Sequence, residues 1–298
     1  MTATAAAIGT FDGVHTGHAA VLQTLREVAA ERDLTPVAIT FDRHPLSLIA
    51  PQRAPLAITT LRKKEELLEN AGVKPIILPF DEKLRRTTAK DWMQMIHDDL
   101  GVEALVVGYD NTFGSDGVSL SLSDYRRIGE EVGIDVTEAP YVPDVSSSAV
   151  RKNIKAGNVE QAWEMLGRRF VLPGLVVEGN KLGRTIGFPT ANVLPEPGII
   201  VPGNGVYIAT ATLPDGRKLP TMVNIGTRPT VRRGNALTVE AHILDWKGDL
   251  YGQPIRLAFY KRLRDEIQFN SIDDLRRQLE KDARDVKVFF QSTLKSRK

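Results

Sequence analysis

The chain has 298 residues, 42% hydrophobic and 26% charged, with a formal net charge of +2 at pH 7 and no cysteine. So even a charge balance gives no argument for nucleic acid or an anionic membrane as partner, and neither is expected; the missing thiols exclude disulfides and thiolate metal sites. No apolar run reaches the length of a membrane span and no secretory leader is recognisable, so the expectation is a soluble, cytoplasmic protein of two domains.

The first half alternates. An apolar stretch, "TAAAIGTF", runs into a glycine-containing turn and then the helical run "AAVLQTLREVAAERD", where Val21, Leu22, Leu25, Val28 and Ala29 share one face. "TPVAITF", "PIILPF", "ALVVG" and "IDVTEAP" read as further strands. "LRKKEELLENAG", stopped by Gly72, "AKDWMQMIHDDLG" and "DYRRIGEEVG" read as the intervening helices. Strand–helix alternation with near-continuous apolar strands predicts a parallel sheet covered on both faces, with ligands bound outside the carboxyl ends of its strands. "SSSAVRKNIKAGNVEQAWEMLG" predicts two short helices. The pattern changes near residue 168. "FVLPGLVVEG", "GVYIATATL", "LPTMVNIG", "LTVEAHIL" and "PIRLAFYKRL" are short strands with turn signals between them, the spacing of an antiparallel barrel or sandwich. A last helix, "SIDDLRRQLEKDARDVKVFF", starts with Ser271 as N-cap.

Chemistry concentrates in two places. The first is "GTFDGVHTGH", residues 9–18, at the mouth of the first helix. A strand, a turn with glycines and a helix start make an anion site, because free backbone N–H groups and the helix dipole both favour phosphate. His15 and His18 can there direct ring N–H groups at phosphate oxygens and stabilise charge on a leaving phosphate. The same spacing alone also fits a loop histidine and a helix cap, and no further ligands complete a zinc site. Neither a P-loop nor a dinucleotide fingerprint occurs. The second place is "VVEGNKLGRTIGFPTANV", with Gly179, Gly183 and Gly187 spaced by four. Such a loop brings backbone N–H groups close to phosphates, and Pro189 stiffens its turn. Thr190 and Asn192 then offer hard oxygen ligands suited to Mg²⁺, although a polar barrel corner has the same composition.

"GTFDGVHTGH" resembles the HxGH signature of the nucleotidylyltransferases in its bacterial FAD synthetase form. "TFDRHP", "RAPLAITTL", "VVGYDNTFG" and "VSSSAVR" follow in that family's order. "GRTIGFPTAN", "VNIGTRPT", "VEAHILD", "DLYG" and "LRDEIQFNS" are similar to the family's riboflavin kinase module. The resemblance covers nearly the whole chain and points to the bifunctional riboflavin kinase/FMN adenylyltransferase family. It implies a parallel-sheet α/β, Rossmann-like nucleotidylyltransferase domain over residues 1–167. A mainly antiparallel β-barrel kinase domain with a C-terminal helix would occupy residues 168–298. It further implies ATP with Mg²⁺, and riboflavin, FMN and FAD as substrates or products.

By this resemblance His15, His18 and Arg151 act on the ATP phosphates and the departing pyrophosphate. Gly9, Phe11, Asp12, Gly13, Asp42, His44, Asp110, Asn111, Ser147 and Ser148 would line the nucleotide and flavin site. Gly179, Gly183, Gly187 and Pro189 would cradle the kinase ATP, Thr190 and Asn192 would hold the metal, and Glu240 would be the base for the flavin hydroxyl. Strand alternation puts Glu240, His242 and Leu244 on one face and Val239, Ala241 and Ile243 on the other. Two rivals stand beside this reading: an HxGH transferase with another acceptor, and a flavin-nucleotide binding protein without activity.

Overall fold

A computed structural model describes residues 2–109, 112–179, 182–230 and 234–295. Contacts divide the chain into two compact units, Met1–Ser147 and Ser148–Lys298.

In the first unit, β1 (Thr4–Ile8) leads to α1 (Thr16–Glu31), β2 (Thr35–Phe41), the short α2 (Leu46–Ile49), α3 (Leu61–Asn70), β3 (Lys74–Leu78), the short α4 (Glu82–Arg86), α5 (Ala89–Leu100), β4 (Val102–Val107), α6 (Leu122–Val132) and β5 (Asp135–Glu138). The strands form one parallel sheet in the order β3-β2-β1-β4-β5. Alternate residues of each strand feed two cores. Ala5, Ala7, Ala38 and Val106 pack under Leu22 and Leu25 of α1 and Leu68 of α3. Ala6, Ile8, Ile39 and Leu105 pack under Trp92 and Ile96 of α5 and Ile128 of α6. Both faces of the central strand β1 are therefore apolar, and it carries no polar alternation. Of the α1 face expected from the sequence, Leu22, Leu25 and Ala29 are buried and Val21 and Val28 are partly so. Local signals end the helices as expected: Thr60 caps α3 through the Lys63 N–H, Gly72 follows it at positive φ, and Ser121 with Asp124 forms a capping box on α6.

This strand order reverses between β1 and β4. The chain steps outward from β1 to β3 on one side, then returns to lay down β4 and β5 on the other. A crevice opens at such a reversal, outside the carboxyl ends of the two central strands. The "GTFDGVHTGH" turn follows β1 and stands at that point.

In the second unit, contacts gather α7 (Ser147–Ala156, from Ser148 onward) and α8 (Val159–Leu166) with the elements that follow. These are β6 (Val171–Val177), α9 (Leu182–Thr185), β7 (Ala191–Pro195), β8 (Gly205–Thr212), β9 (Lys218–Thr230), β10 (Gly234–Ile243), β11 (Pro254–Arg264) and α10 (Ile272–Lys295). The strands close into a barrel in the order β10-β7-β6-β11-β8-β9, antiparallel at every pairing, so the barrel alternative holds over the sandwich. Closure leaves no sheet edge exposed. Ser271 caps α10 as expected, accepting the Asp274 N–H at 3.0 Å. Apolar residues of α10, among them Leu279, Val286 and Phe290, pack on Val206, Ile208, Met222 and Leu244 from the strands and the end of β10.

Candidate active sites

At the carboxyl end of β1 the backbone bends hard. Phe11 and Val14 have positive φ (45° and 38°) although neither is glycine, and Gly13 between them lies at 83°. Such conformations cost about 1–3 kcal/mol each and persist only where the surroundings enforce them. Several contacts do so. The buried Asp12 carboxylate accepts the backbone N–H groups of Ile58 (2.9 Å) and Thr59 (3.2 Å), and the Asp12 carbonyl accepts the Ser147 hydroxyl at 2.9 Å. A Cβ on Gly13 would press on the Ile58 side chain at 3.0 Å, and its φ of 83° is one that side chains rarely adopt.

This bend delivers His15 as the N-cap of α1. Its Nδ1 accepts the His18 N–H at 3.3 Å. An accepting Nδ1 leaves the ring proton on Nε2, so that nitrogen is a donor. The two imidazoles stack, centroids 3.7 Å apart, and Phe11 meets His18 edge-on at 5.1 Å. Gly17 sits against the His15 ring, 3.1 Å from where its own Cβ would stand. Gly9 donates its N–H to the Ile39 carbonyl and so ties the turn to β2.

At the end of β2, Asp42 accepts the Phe80 N–H at 2.9 Å and a guanidinium N–H of Arg43. Burial would raise its pKa, but these donors outweigh it and hold the carboxyl below the ordinary value. His44 turns inward on its own segment, its Nδ1 accepting the Leu46 N–H at 3.1 Å. Ser147 starts α7; Ser148 is exposed, and Arg151, four residues on from Ser147, is buried. Asp110 and Asn111 lie outside the described residues.

In the second unit one cross-strand row organises the site. Arg264 of β11 pairs with Val206 of β8, Val206 with Asn224 of β9, Asn224 with Glu240 of β10, and Glu240 with Asn192 of β7. Residues directly opposite one another in an antiparallel ladder point to the same face. All five line a cavity of about 250 Å³, walled also by Phe269 and by Leu275 of α10. The neighbouring row, Tyr207, Val223 and Ala241, is buried on the opposite face. The alternation expected around Glu240 is therefore present, with His242 also on the cavity side.

Next to it lies a second cavity of about 620 Å³, lined by Trp246, Lys247, Asp249 and Tyr251 among others. Thr190 lines both cavities. The glycine loop packs tightly here: a Cβ on Gly179 would collide with the Asn192 amide, and one on Gly183 with the Phe188 carbonyl. Gly187 has φ of 83°. The Pro189 carbonyl is 2.8 Å from Nδ1 of His242, which fixes the turn that presents Thr190.

Sequence reading missed Asn224 and the larger cavity's Trp246 and Tyr251. A signal for Asn224 existed: an amide inside the apolar strand "TMVNIG" marks a position with a polar neighbour across the ladder. Which neighbour depends on register between distant strands.

Comparison with known proteins agrees with this two-part layout. Residues 1–152 match the FAD synthetase family and residues 166–290 match the riboflavin kinase family. The bifunctional riboflavin kinase/FMN adenylyltransferase of Escherichia coli (strain K12) is 40% identical over 95% of this chain and 91% of its own length. This chain belongs to the bifunctional riboflavin kinase/FMN adenylyltransferase family. The family member of Bacillus subtilis (strain 168) is 34% identical over 97% of this chain and 93% of its own. A crystal structure from Streptococcus pneumoniae, described as a macrolide-efflux protein, shares the fold at a TM-score of 0.85, with 28% identity over 96% of this chain and 95% of that one. Likeness of fold does not carry an efflux activity across. Among the described residues, no helix is long and apolar enough to cross a membrane.

Proposed function

We propose that this chain phosphorylates riboflavin to FMN with ATP in its second unit, and adenylylates FMN to FAD in its first. The products are ADP in the one case and pyrophosphate in the other. The working division is residues 1–167 for adenylyl transfer and 168–298 for phosphoryl transfer. The reading requires ATP and flavins as partners, and the proposed compartment is the cytoplasm, in keeping with an ATP-dependent enzyme without cysteine.

The observation that carries it is the position of Thr190 on both cavities of the second unit, with Glu240 in the smaller one. In this reading the larger cavity takes ATP and the smaller one the flavin with its ribityl chain. The γ-phosphoryl then has to pass where the cavities meet, and Glu240 accepts the proton of the attacking 5′-hydroxyl. Thr190 and Asn192 are two residues apart and share a face, so a hydroxyl and an amide oxygen converge there. Two neutral oxygens suit Mg²⁺, and Thr190 and Asn192 would be the residues that hold it. When bound, the metal neutralises charge on the transferring phosphoryl group. Gly179, Gly183, Gly187 and Pro189 let the loop approach the phosphates.

In the first unit no proton has to be taken by a strong base, because the FMN phosphate is already an anionic nucleophile. Positioning and charge stabilisation suffice. His15, a donor at Nε2, and His18 bind the ATP phosphates and stabilise the pyrophosphate as it leaves. Gly9, Phe11, Asp12 and Gly13 shape the turn that holds them, and Asp42 and His44 border the nucleotide from β2. Asp110 and Asn111 are assigned to the flavin side and Ser147 to phosphate on the sequence motif; Ser148 and Arg151, which the same motif assigns to phosphate, fall in the second unit by contacts.

The test is a single assay: the protein with riboflavin and Mg-ATP, its flavins separated by chromatography. FMN followed by FAD is expected. Absence of FMN refutes the kinase half, and FMN without FAD refutes the adenylyltransferase half.

A further inference from the structure

Behind the histidine turn lies a charged group that the mechanism above does not use. Lys64, on the first turn of α3, is only 9% exposed. Its ammonium donates to the carbonyl of Thr10 (3.1 Å), the hydroxyl of Thr40 (2.9 Å) and the carbonyl of Phe41 (2.9 Å). The Thr40 hydroxyl in turn donates to the Thr10 carbonyl at 3.1 Å. Thr10 lies in the turn that follows β1, just before Phe11, and Thr40 and Phe41 are the last two residues of β2.

All three acceptors are neutral. Among the described residues no carboxylate makes an ion pair with Lys64; the charges facing it are Asp12 on the turn, Asp42 at the end of β2 and Glu65 on its own helix. Burying an ammonium without a contacting counter-ion is costly, and a neutral donor could bridge backbone carbonyls at lower cost. The polyphosphate proposed to bind at the turn is the most strongly anionic group the site would receive.

We propose that Lys64 is a positioning residue for adenylyl transfer: it locks the peptide that enters the "FDGVHTGH" turn and sets a fixed positive charge beneath the polyphosphate subsite. Lys64 does not touch the reacting atoms. It acts through the backbone that carries His15 and His18, and through its field in a poorly screened interior. The inference rests on the assignment of adenylyl transfer to the first unit.

Burial pushes the Lys64 pKa down to about 8, against the opposing pull of Asp12, Glu65 and Asp42. The charge is then largely present at pH 7 and lost above pH 8. The pH dependence of kcat/KM reports groups of the free enzyme, and a single ammonium of this pKa, with only the charged form active, predicts a fall of roughly 30-fold between pH 7 and 9.5.

The experiment measures kcat/KM for ATP in FAD formation from supplied FMN, from pH 7 to 9.5, with FMN formation by the same full chain as internal control. Wild type should lose roughly 30-fold in the first reaction as the ammonium titrates. Lys64→Arg, which keeps its charge throughout, should show a flat profile. Lys64→Met should be flat and low, with circular dichroism establishing that it is folded. Wild-type FAD formation that stays flat to pH 9.5 overturns the proposal, as does an alkaline limb that survives in Lys64→Arg. If Lys64→Met does not fold, wild type and Lys64→Arg still decide. Wild type that forms no FAD at any pH overturns the underlying assignment instead.

Discussion

Glu240 and Lys64 show how a single side chain can be separated into binding, chemistry and stability. A base helps only while a proton moves, so its loss is felt in the transition state rather than in substrate binding. Glu240→Gln keeps the size and the place in the row beside Asn192 and Asn224 but cannot take up a proton. Riboflavin binding, followed by fluorescence quenching, should change little, while kcat for FMN formation should fall by about 10²–10⁴-fold. Normal turnover would return Glu240 to an ordinary polar strand residue. Lys64 makes a prediction of the opposite kind. Its folded pKa of about 8 lies below the ordinary 10.5. Between those values the unfolded chain holds more protons than the folded one, so this residue's contribution to stability rises with pH across that window. From pH 7.5 to 9.5 the wild type should gain about 2 kcal/mol relative to Lys64→Met in urea unfolding. The same pH change that strengthens the fold would thus remove the charge the site uses, and parallel pH dependences in the two proteins would refute the shift.

Among the elements, α10 ties barrel to cavity. Arg264, at the end of β11, places Nη2 at 2.7 Å and Nε at 2.9 Å from one carboxylate oxygen of Asp282, which is 2% exposed. The other oxygen accepts from Gln278 at 2.8 Å. Arg264 itself lines the smaller cavity, so the helix holds one of the cavity's walls in place. Removing one partner of such a buried pair leaves the other uncompensated, which typically costs about 3–5 kcal/mol. Asp282→Ala should lose stability of that order in denaturant titration and weaken riboflavin binding. A loss under about 1 kcal/mol would mark the pair as a surface-like contact. The helix and its Ser271 cap were legible in the sequence, because both depend on residues within a few positions. The ion pair was not, since nothing local says which strand end Asp282 will meet. The strand β7 was hidden for a similar reason. "TANVLP" reads as the tail of a glycine loop, and only pairing with β10 and β6 on either side makes it a strand.

At the scale of the molecule, two compact units with separate candidate sites should fail separately. The double variant His15→Ala, His18→Ala should lower FAD formation by about 10²-fold or more, the usual cost of losing a transition-state donor, and leave FMN formation intact. Loss of the His15 cap costs the first unit only about 1 kcal/mol, too little to unfold it. Thr190→Val keeps the shape but removes the oxygen proposed to hold the metal. FMN formation should fall sharply while FAD formation from supplied FMN persists. Chromatography of the flavins reads both outcomes, and equal loss of both activities in either variant would point to a shared site.

Much of this architecture was written locally. The alternation of strand and helix, the glycine and serine signals at helix ends, the "GTFDGVHTGH" turn and the "GFPTAN" loop all depend on neighbours in the chain. So the parallel sheet, the helix carrying the histidines and the motifs of both candidate sites are legible in the sequence. Three features depended on contacts between distant segments. The closure of the barrel required β10 to meet β7 and β11 to meet β8, where sequence left barrel and sandwich open. The row from Arg264 to Asn192 required the registers of four separate strand pairings. The burial of Lys64 required its side chain on α3 to reach the segments at the ends of β1 and β2, turning a residue that reads as one more charge in "LRKKEELL" into the ammonium under the turn. Periodicity and turn chemistry are properties of adjacent residues and can be read from them. Register, closure and the environment of a buried charge arise only when segments far apart in the chain are packed together.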